Sequence, residues 1–151
     1  MLGKLAKWLR ILGYDTHYQP SYPEGVIEQL SRAEGRVLLT RCSRTLKMHS
    51  GGVFIRSDHV GDQLCQLVEE GWIRPDSARG FQRCIRCNEP LVEADPESVR
   101  EGVPEFVRVH NEGGFRGCPA CGRMYWAGSH RERMLEQLVS WGVLTSAPAD
   151  S

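Results

Sequence analysis

Arg83-Cys84-Ile85-Arg86-Cys87-Asn88 and Gly117-Cys118-Pro119-Ala120-Cys121-Gly122 are the two stretches around which this sequence is organised. Two residues separate the cysteines of each pair, the spacing at which one tight turn aims both sulfurs at a single point. Each pair is followed by a residue that tolerates positive φ, Asn88 and Gly122, as a turn closing around an ion needs. Four thiolates saturate a tetrahedral Zn²⁺ and leave no open position, so Cys84, Cys87, Cys118 and Cys121 read as a structural zinc site. The long gap between the pairs implies a hairpin with an extended loop. Two disulfides or a redox Cys-x-x-C are the competing readings, and two such pairs in one short chain favour zinc.

Working outward, 151 residues suit one ordinary domain, or a small domain plus a zinc module. Hydrophobic content of 40% and charged content of 25% argue for a folded chain and against disorder. A formal net charge of zero means that no global field advertises a nucleic-acid partner. There is no apolar run long enough to span a bilayer, so no membrane partner is expected. The N-terminus lacks the core of a signal peptide, so a cytoplasmic protein with reduced cysteines is expected.

In chain order, Leu2, Leu5, Ala6, Leu9 and Leu12 fall at helical spacing, with Lys4, Lys7 and Arg10 between them and Gly13 as the stop. Asp15–Tyr18 reads as extended. Ser21 and Glu24 have capping-box spacing ahead of a helix built on Val26, Ile27, Leu30 and Ala33, stopped by Gly35. Arg36–Thr40 and Val53–Arg56 read as buried strands, with the basic segment Arg41–Lys47 as a turn between them. Asp58 is positioned to cap a helix using Val60, Leu64, Leu67 and Val68. Strands alternating with helices imply an α/β fold with a parallel sheet. Residues 75–80 read as a linker, 92–101 as loop or a short helix, Phe106–Val109 as a strand, and Met124–Trp126 as the strand leaving the second knuckle. Ser129 and Glu132 make a second capping box, opening a last helix on Met134, Leu135, Leu138 and Val139 that Gly142 stops. The resulting division is 1–74, 81–142 with the closing helix in the zinc module, and a flexible tail at 143–151.

Three blocks carry a resemblance when taken together. They are Met1-Leu2-Gly3-Lys4-Leu5-Ala6-Lys7-Trp8-Leu9-Arg10-Ile11-Leu12-Gly13-Tyr14-Asp15-Thr16, then Arg36-Val37-Leu38-Leu39-Thr40-Arg41. The third is the first cysteine pair joined to Cys118-Pro119-Ala120-Cys121-Gly122-Arg123-Met124-Tyr125-Trp126-Ala127-Gly128-Ser129-His130. In that order they resemble the PIN-like ribonucleases of the mut-seven C-terminal type, which carry a zinc ribbon behind the nuclease domain. The resemblance implies a PIN-like parallel sheet flanked by helices, RNA as partner, and acids at strand ends holding catalytic Mg²⁺ or Mn²⁺. Hydrolysing a phosphodiester needs an activated water and neutralised charge, which carboxylate-held hard cations supply.

Residue by residue the match is uneven. One family acid ends a first strand that would precede Met1; that strand is missing here, and an internal methionine start is favoured over a decayed family member. Glu24 matches the second acid and Asp58 the fourth. Where the third follows Leu-Leu-Thr-Arg, this chain has Cys42, a poor Mg²⁺ ligand. Weak or no Mg²⁺-dependent cleavage is therefore expected of this sequence. Under the resemblance, Lys4, Lys7, Arg10, Arg41 and Arg44 are the candidate phosphate-tracking cations.

Each of these residues also has a plainer reading. Glu24 serves equally as the distal acid of a capping box, Asp58 as an N-cap, and Asp15 as a solvated turn acid. Cys42 and Cys65 fit the habit of free cysteines as small buried apolar residues. Tyr125 and Trp126 suit base stacking or the small core of a ribbon. Beside the ribonuclease reading stands a non-catalytic RNA- or protein-binding zinc-ribbon module. Oligomeric state is not legible in the sequence.

Overall fold

The computed structural model describes residues 2–49, 51–76, 80–111 and 113–145. The chain opens on α1 (Gly3–Ile11), whose apolar stripe buries Leu5, Ala6, Leu9 and Ile11. It ends as its sequence requires. Gly13, at φ 96°, lets its own amide donate to the Arg10 carbonyl and the Tyr14 amide to the Leu9 carbonyl. That bond pair satisfies carbonyls the last turn would leave orphaned, and only glycine adopts the conformation without steric cost. α4 (Val60–Glu69) and α7 (Ser129–Ser140) close with the same pair of bonds, at Gly71 and Gly142.

α2 (Val26–Glu34) follows, then β1 (Leu39–Thr40), α3 (Ser43–Lys47) and β2 (Val53–Phe54). β1 and β2 pair in parallel, Leu39 opposite Val53 and Thr40 opposite Phe54. The parallel arrangement agrees with the sequence, but the strands are shorter than the apolar runs. Val37 lies outside β1 and is 46% exposed. The basic segment after β1 is not a turn, since Ser43–Lys47 is one turn of helix with Cys42 at its N-cap.

Past α4 the chain enters an antiparallel sheet of β3 (Val92–Glu93), β4 (Arg116–Gly117) and β5 (Met124–Tyr125), in the order β3-β4-β5. Between β3 and β4 lie α5 (Pro96–Gly102) and α6 (Glu105–His110). The expected strand at Phe106–Val109 is therefore helical. Pro104 accepts the amides of Val107 and Arg108, with Glu105 in the first turn and Arg108 and His110 in the last. Those charges complement a helix dipole, and the alternating apolar residues have no second layer to cover them: Phe106 and Val109 are each 69% exposed.

None of the three expected side-chain caps forms. Pro23 accepts the Val26 amide across a turn with Gly25 at φ 83°, as a type II turn needs at its third position, and the helix starts without Ser21. At α4 the Ser57 hydroxyl takes the His59 amide, so the cap moves to His59, whose Nδ1 accepts the Gly61 amide at 3.2 Å. At α7 the cap is Gly128, and Ser129 is already inside the helix.

One apolar cluster holds the molecule together. Leu5, Leu9 and Leu12 meet Val53, Ile55, Leu64, Leu67 and Ile73, and the same cluster takes in Leu138, Val143 and Leu144. The closing helix, grouped by sequence with the zinc module, thus packs into the core of the N-terminal half. Val143 and Leu144, assigned by sequence to the tail, are buried. Burial of Leu138 alone contributes ~1.5–3 kcal/mol. The ring of Trp141 seals the junction, edge-on to Trp8 at 5.0 Å between centroids, while the Cys65 thiol donates to the Trp141 carbonyl at 3.1 Å. Residues 77–79 of the expected linker and 146–151 of the expected tail lie outside the described residues.

Candidate metal centre

The two cysteine turns have the same construction. In the first, the Asn88 amide donates to the Cys84 carbonyl at 2.9 Å, with Asn88 at φ 65°. In the second, the Gly122 amide donates to the Cys118 carbonyl at 2.8 Å, with Gly122 at φ 77°. The left-handed residue after each pair turns the chain back before it can leave the sulfurs behind. β3, β4 and β5 then hold the two turns face to face.

All four Sγ atoms lie within 4.8 Å of one another, and Cys84 and Cys121 are 3.8 Å apart. Four sulfurs at about 2.3 Å from a common centre sit about 3.8 Å from each other in a tetrahedron. The donor set is all thiol, the soft set that Zn²⁺ accepts and Mg²⁺ does not. These residues fit a structural divalent metal such as zinc. The site is uneven in exposure: Cys84 and Cys118 are buried, Cys87 is half-buried, and Cys121 faces solvent.

Thiols this close do not ionise independently. Burial pushes Cys84 up, but the Tyr125 hydroxyl and the amides of Cys87 and Arg86 outweigh it and bring the thiol to about 7. Hydrogen bonding to Cys121, then burial, pushes Cys87 up to about 12. Burial also raises Cys118. Cys84 is thus the thiol readiest to ionise, while Cys87 and Cys118 hold their protons until a dication supplies the charge that displaces them.

The first knuckle is docked on the N-terminal helix. Arg10 donates from Nη1 to the Ile85 carbonyl at 2.8 Å and from Nε to the Thr16 carbonyl at 2.9 Å. Asn88 completes the junction from the other side. Its Oδ1 accepts the Thr16 amide at 2.9 Å and its Nδ2 donates to Asp15 Oδ1 at 2.6 Å. Arg36 donates to the same Asp15 oxygen at 3.0 Å. Sequence reading missed this junction. Asp15 is a bridging acid, and Arg10, a candidate for phosphate, is committed to backbone carbonyls.

The remaining candidates are scattered. Lys4 and Lys7 are exposed on α1, Arg41 and Arg44 are exposed around the start of α3, and none of the four makes an ion pair among the described residues. Glu24 is exposed in the turn before α2, and Asp58 is exposed before α4. Among the described residues the four cysteines are the one group of three or more metal-ligating side chains, and neither acid belongs to another. Cys42 is exposed rather than a small buried apolar residue. The Thr45 hydroxyl and the amides of Thr45 and Arg44 pull its thiol below the usual range.

Fold and site together define a mixed α/β protein with a four-cysteine cluster, fit to hold a metal ion, built on a small antiparallel sheet. The chain belongs to the Mut7-C RNAse domain family, whose model matches residues 1–138. No curated protein and no solved structure matches it. No helix among the described residues is long and apolar enough to cross a membrane.

Proposed function

We propose that this chain acts on RNA as a zinc-holding member of its ribonuclease family. The observation that carries the reading is the family match over residues 1–138. The four thiols support zinc as the resident metal, with Cys84, Cys87, Cys118 and Cys121 as its ligands. Zinc so bound has no open position, and what it supplies is stability of the ribbon. Lys4, Lys7, Arg41 and Arg44, exposed and in no ion pair among the described residues, are the candidate cations for phosphate.

Divalent-metal-dependent cleavage is the activity the family implies. It requires hard oxygen ligands converging on Mg²⁺ or Mn²⁺. Glu24 and Asp58 do not fit that requirement, being exposed and in no group of three ligating side chains among the described residues. Cys42, standing where the family places an acid, favours a second reading, in which the chain binds RNA without cutting it.

Labelled single-stranded RNA separates the readings. Binding that weakens linearly in log affinity with log salt is expected of phosphate contacts. Incubation in Mg²⁺ is expected to leave the RNA intact. Brisk Mg²⁺-dependent cutting by the unaltered chain would show that other residues form the working set. Absence of RNA binding at low salt would refute the proposal.

A further inference from the structure

Tyr125 joins the two cysteine turns through one atom. It stands on β5 opposite Arg116 of β4, and its hydroxyl reaches across to the first knuckle. The phenol oxygen accepts the Ile85 amide at 3.1 Å and lies 3.2 Å from Cys84 Sγ. An oxygen already receiving a hydrogen from Ile85 has its own hydrogen free, and the sulfur is the partner in reach. Hydroxyl donation to Cys84 follows from that geometry. The Cys87 amide, at 3.4 Å, is a longer contact to the same sulfur. Arg123 lies against the ring, its Cζ 5.8 Å from the centroid, which limits the ways the phenol can swing out.

The contact falls on one corner of an uneven site. Cys84 is 0% exposed, whereas Cys121 faces solvent. A donor to a metal-bound thiolate orients the sulfur and occupies the lone pair that an incoming proton would need, so this corner is slow to enter proton-assisted exchange. We infer that Tyr125 is a positioning residue of the metal centre, its hydroxyl making Cys84 the corner that retains the metal while exchange begins at Cys121. The inference rests on the reading that the four cysteines hold zinc.

Zinc transfer from the full chain to an excess of colorimetric chelator tests it. Tyr125→Phe keeps the ring and removes only the hydroxyl, and is expected to release zinc at least about tenfold faster than the unaltered chain. In cobalt-loaded protein the same variant is expected to shift the thiolate-to-metal charge-transfer band, a signature that ring packing does not move. Wild-type release and an unchanged band in Tyr125→Phe overturn the inference, even if Tyr125→Leu is fast. Should Tyr125→Phe fail to fold, the unaltered chain loaded with an NMR-active cadmium isotope decides. A slowly exchanging phenol proton coupled to the metal supports the inference, and a freely exchanging one overturns it. A wild-type chain that takes up no metal refutes the zinc reading and this inference together. Normal uptake with an indifferent Tyr125→Phe refutes this inference alone.

Discussion

Asn88 donates through Nδ2 to Asp15 Oδ1 at 2.6 Å, across 73 positions of sequence. The residue that closes the first cysteine turn is thereby also the residue that docks the turn on the segment leaving α1. Its backbone serves the metal centre, with φ at 65°, and its side chain serves the tertiary junction.

Asn88→Gly separates those two duties, because glycine keeps the positive φ and loses both bridges. Zinc stoichiometry is expected to stay near one while stability falls by about 1–2 kcal/mol, at roughly 0.5–1.5 kcal/mol per hydrogen bond lost. Chemical denaturation measures the loss. Faster hydrogen exchange at the Thr16 amide locates it, and unchanged exchange there would contradict the docking role.

Acid should loosen the same junction. Burial raises the Asp15 carboxyl, but hydrogen bonds from Arg36 and Asn88 outweigh it and hold the group below the usual carboxylate range. A depressed folded pKa means that the stabilisation is fully present above the ordinary carboxylate pKa and disappears as pH falls through the lower folded value. The side chain is 50% exposed, so the effect is small and screened by salt. Asp15→Asn is expected to flatten the acid limb of a stability-against-pH curve, and an identical limb would remove Asp15 from the account.

Arg10 and Lys7 share a helix and have opposite expected behaviour. Arg10→Met strips the Thr16, Ile85 and Arg86 carbonyls of their donor and should destabilise by about 1–3 kcal/mol. Lys7→Met should change stability by less than about 0.5 kcal/mol. For RNA binding, Lys7→Met is expected to weaken affinity and lower the salt slope by about one. Equal stability losses for the pair would overturn the division of labour.

Gly61 carries a packing expectation. A Cβ added there would lie 2.7 Å from Trp141 Cγ, far inside contact distance, and the ring is pinned against Trp8. Gly61→Ala should therefore cost about 1–3 kcal/mol by overpacking, despite the better helix propensity of alanine. Thermal melts read the cost, and tryptophan emission reports the displaced ring. A stabilised Gly61→Ala would mean that α7 does not dock where it is described.

Metal and proton compete for the cysteines. Thiolates bind and thiols do not, so metal retention should be complete at high pH and fail as pH falls. Cys121→Ser should leave less than half an equivalent of zinc and also speed exchange at the Thr16 amide, because the first knuckle carries Asn88. A zinc-free variant with an undisturbed Thr16 would show that the junction stands without the metal.

The cysteine pairs, Asn88, Gly122 and the helix-stopping glycines were legible in the sequence because each rests on local geometry. Two residues between sulfurs, or one residue at positive φ, means the same thing in nearly any surroundings. The helices at Gly3–Ile11, Val26–Glu34, Val60–Glu69 and Ser129–Ser140 were legible for a related reason, since an amphipathic period needs only one apolar partner. Their caps were not, because a serine or aspartate near a helix start competes with turns such as the one at Gly25. Phe106–Val109 misled because alternation signals a strand only where a sheet exists to bury one face. The membership of Leu138 and Trp141 in the N-terminal core, and the commitment of Arg10 to Ile85 and Thr16, were decided by tertiary structure alone. An arginine on a helix face carries the same charge whether it meets solvent, phosphate or a carbonyl. Which of these it meets depends on groups 75 positions away, and no local pattern encodes where the folded chain will bring them.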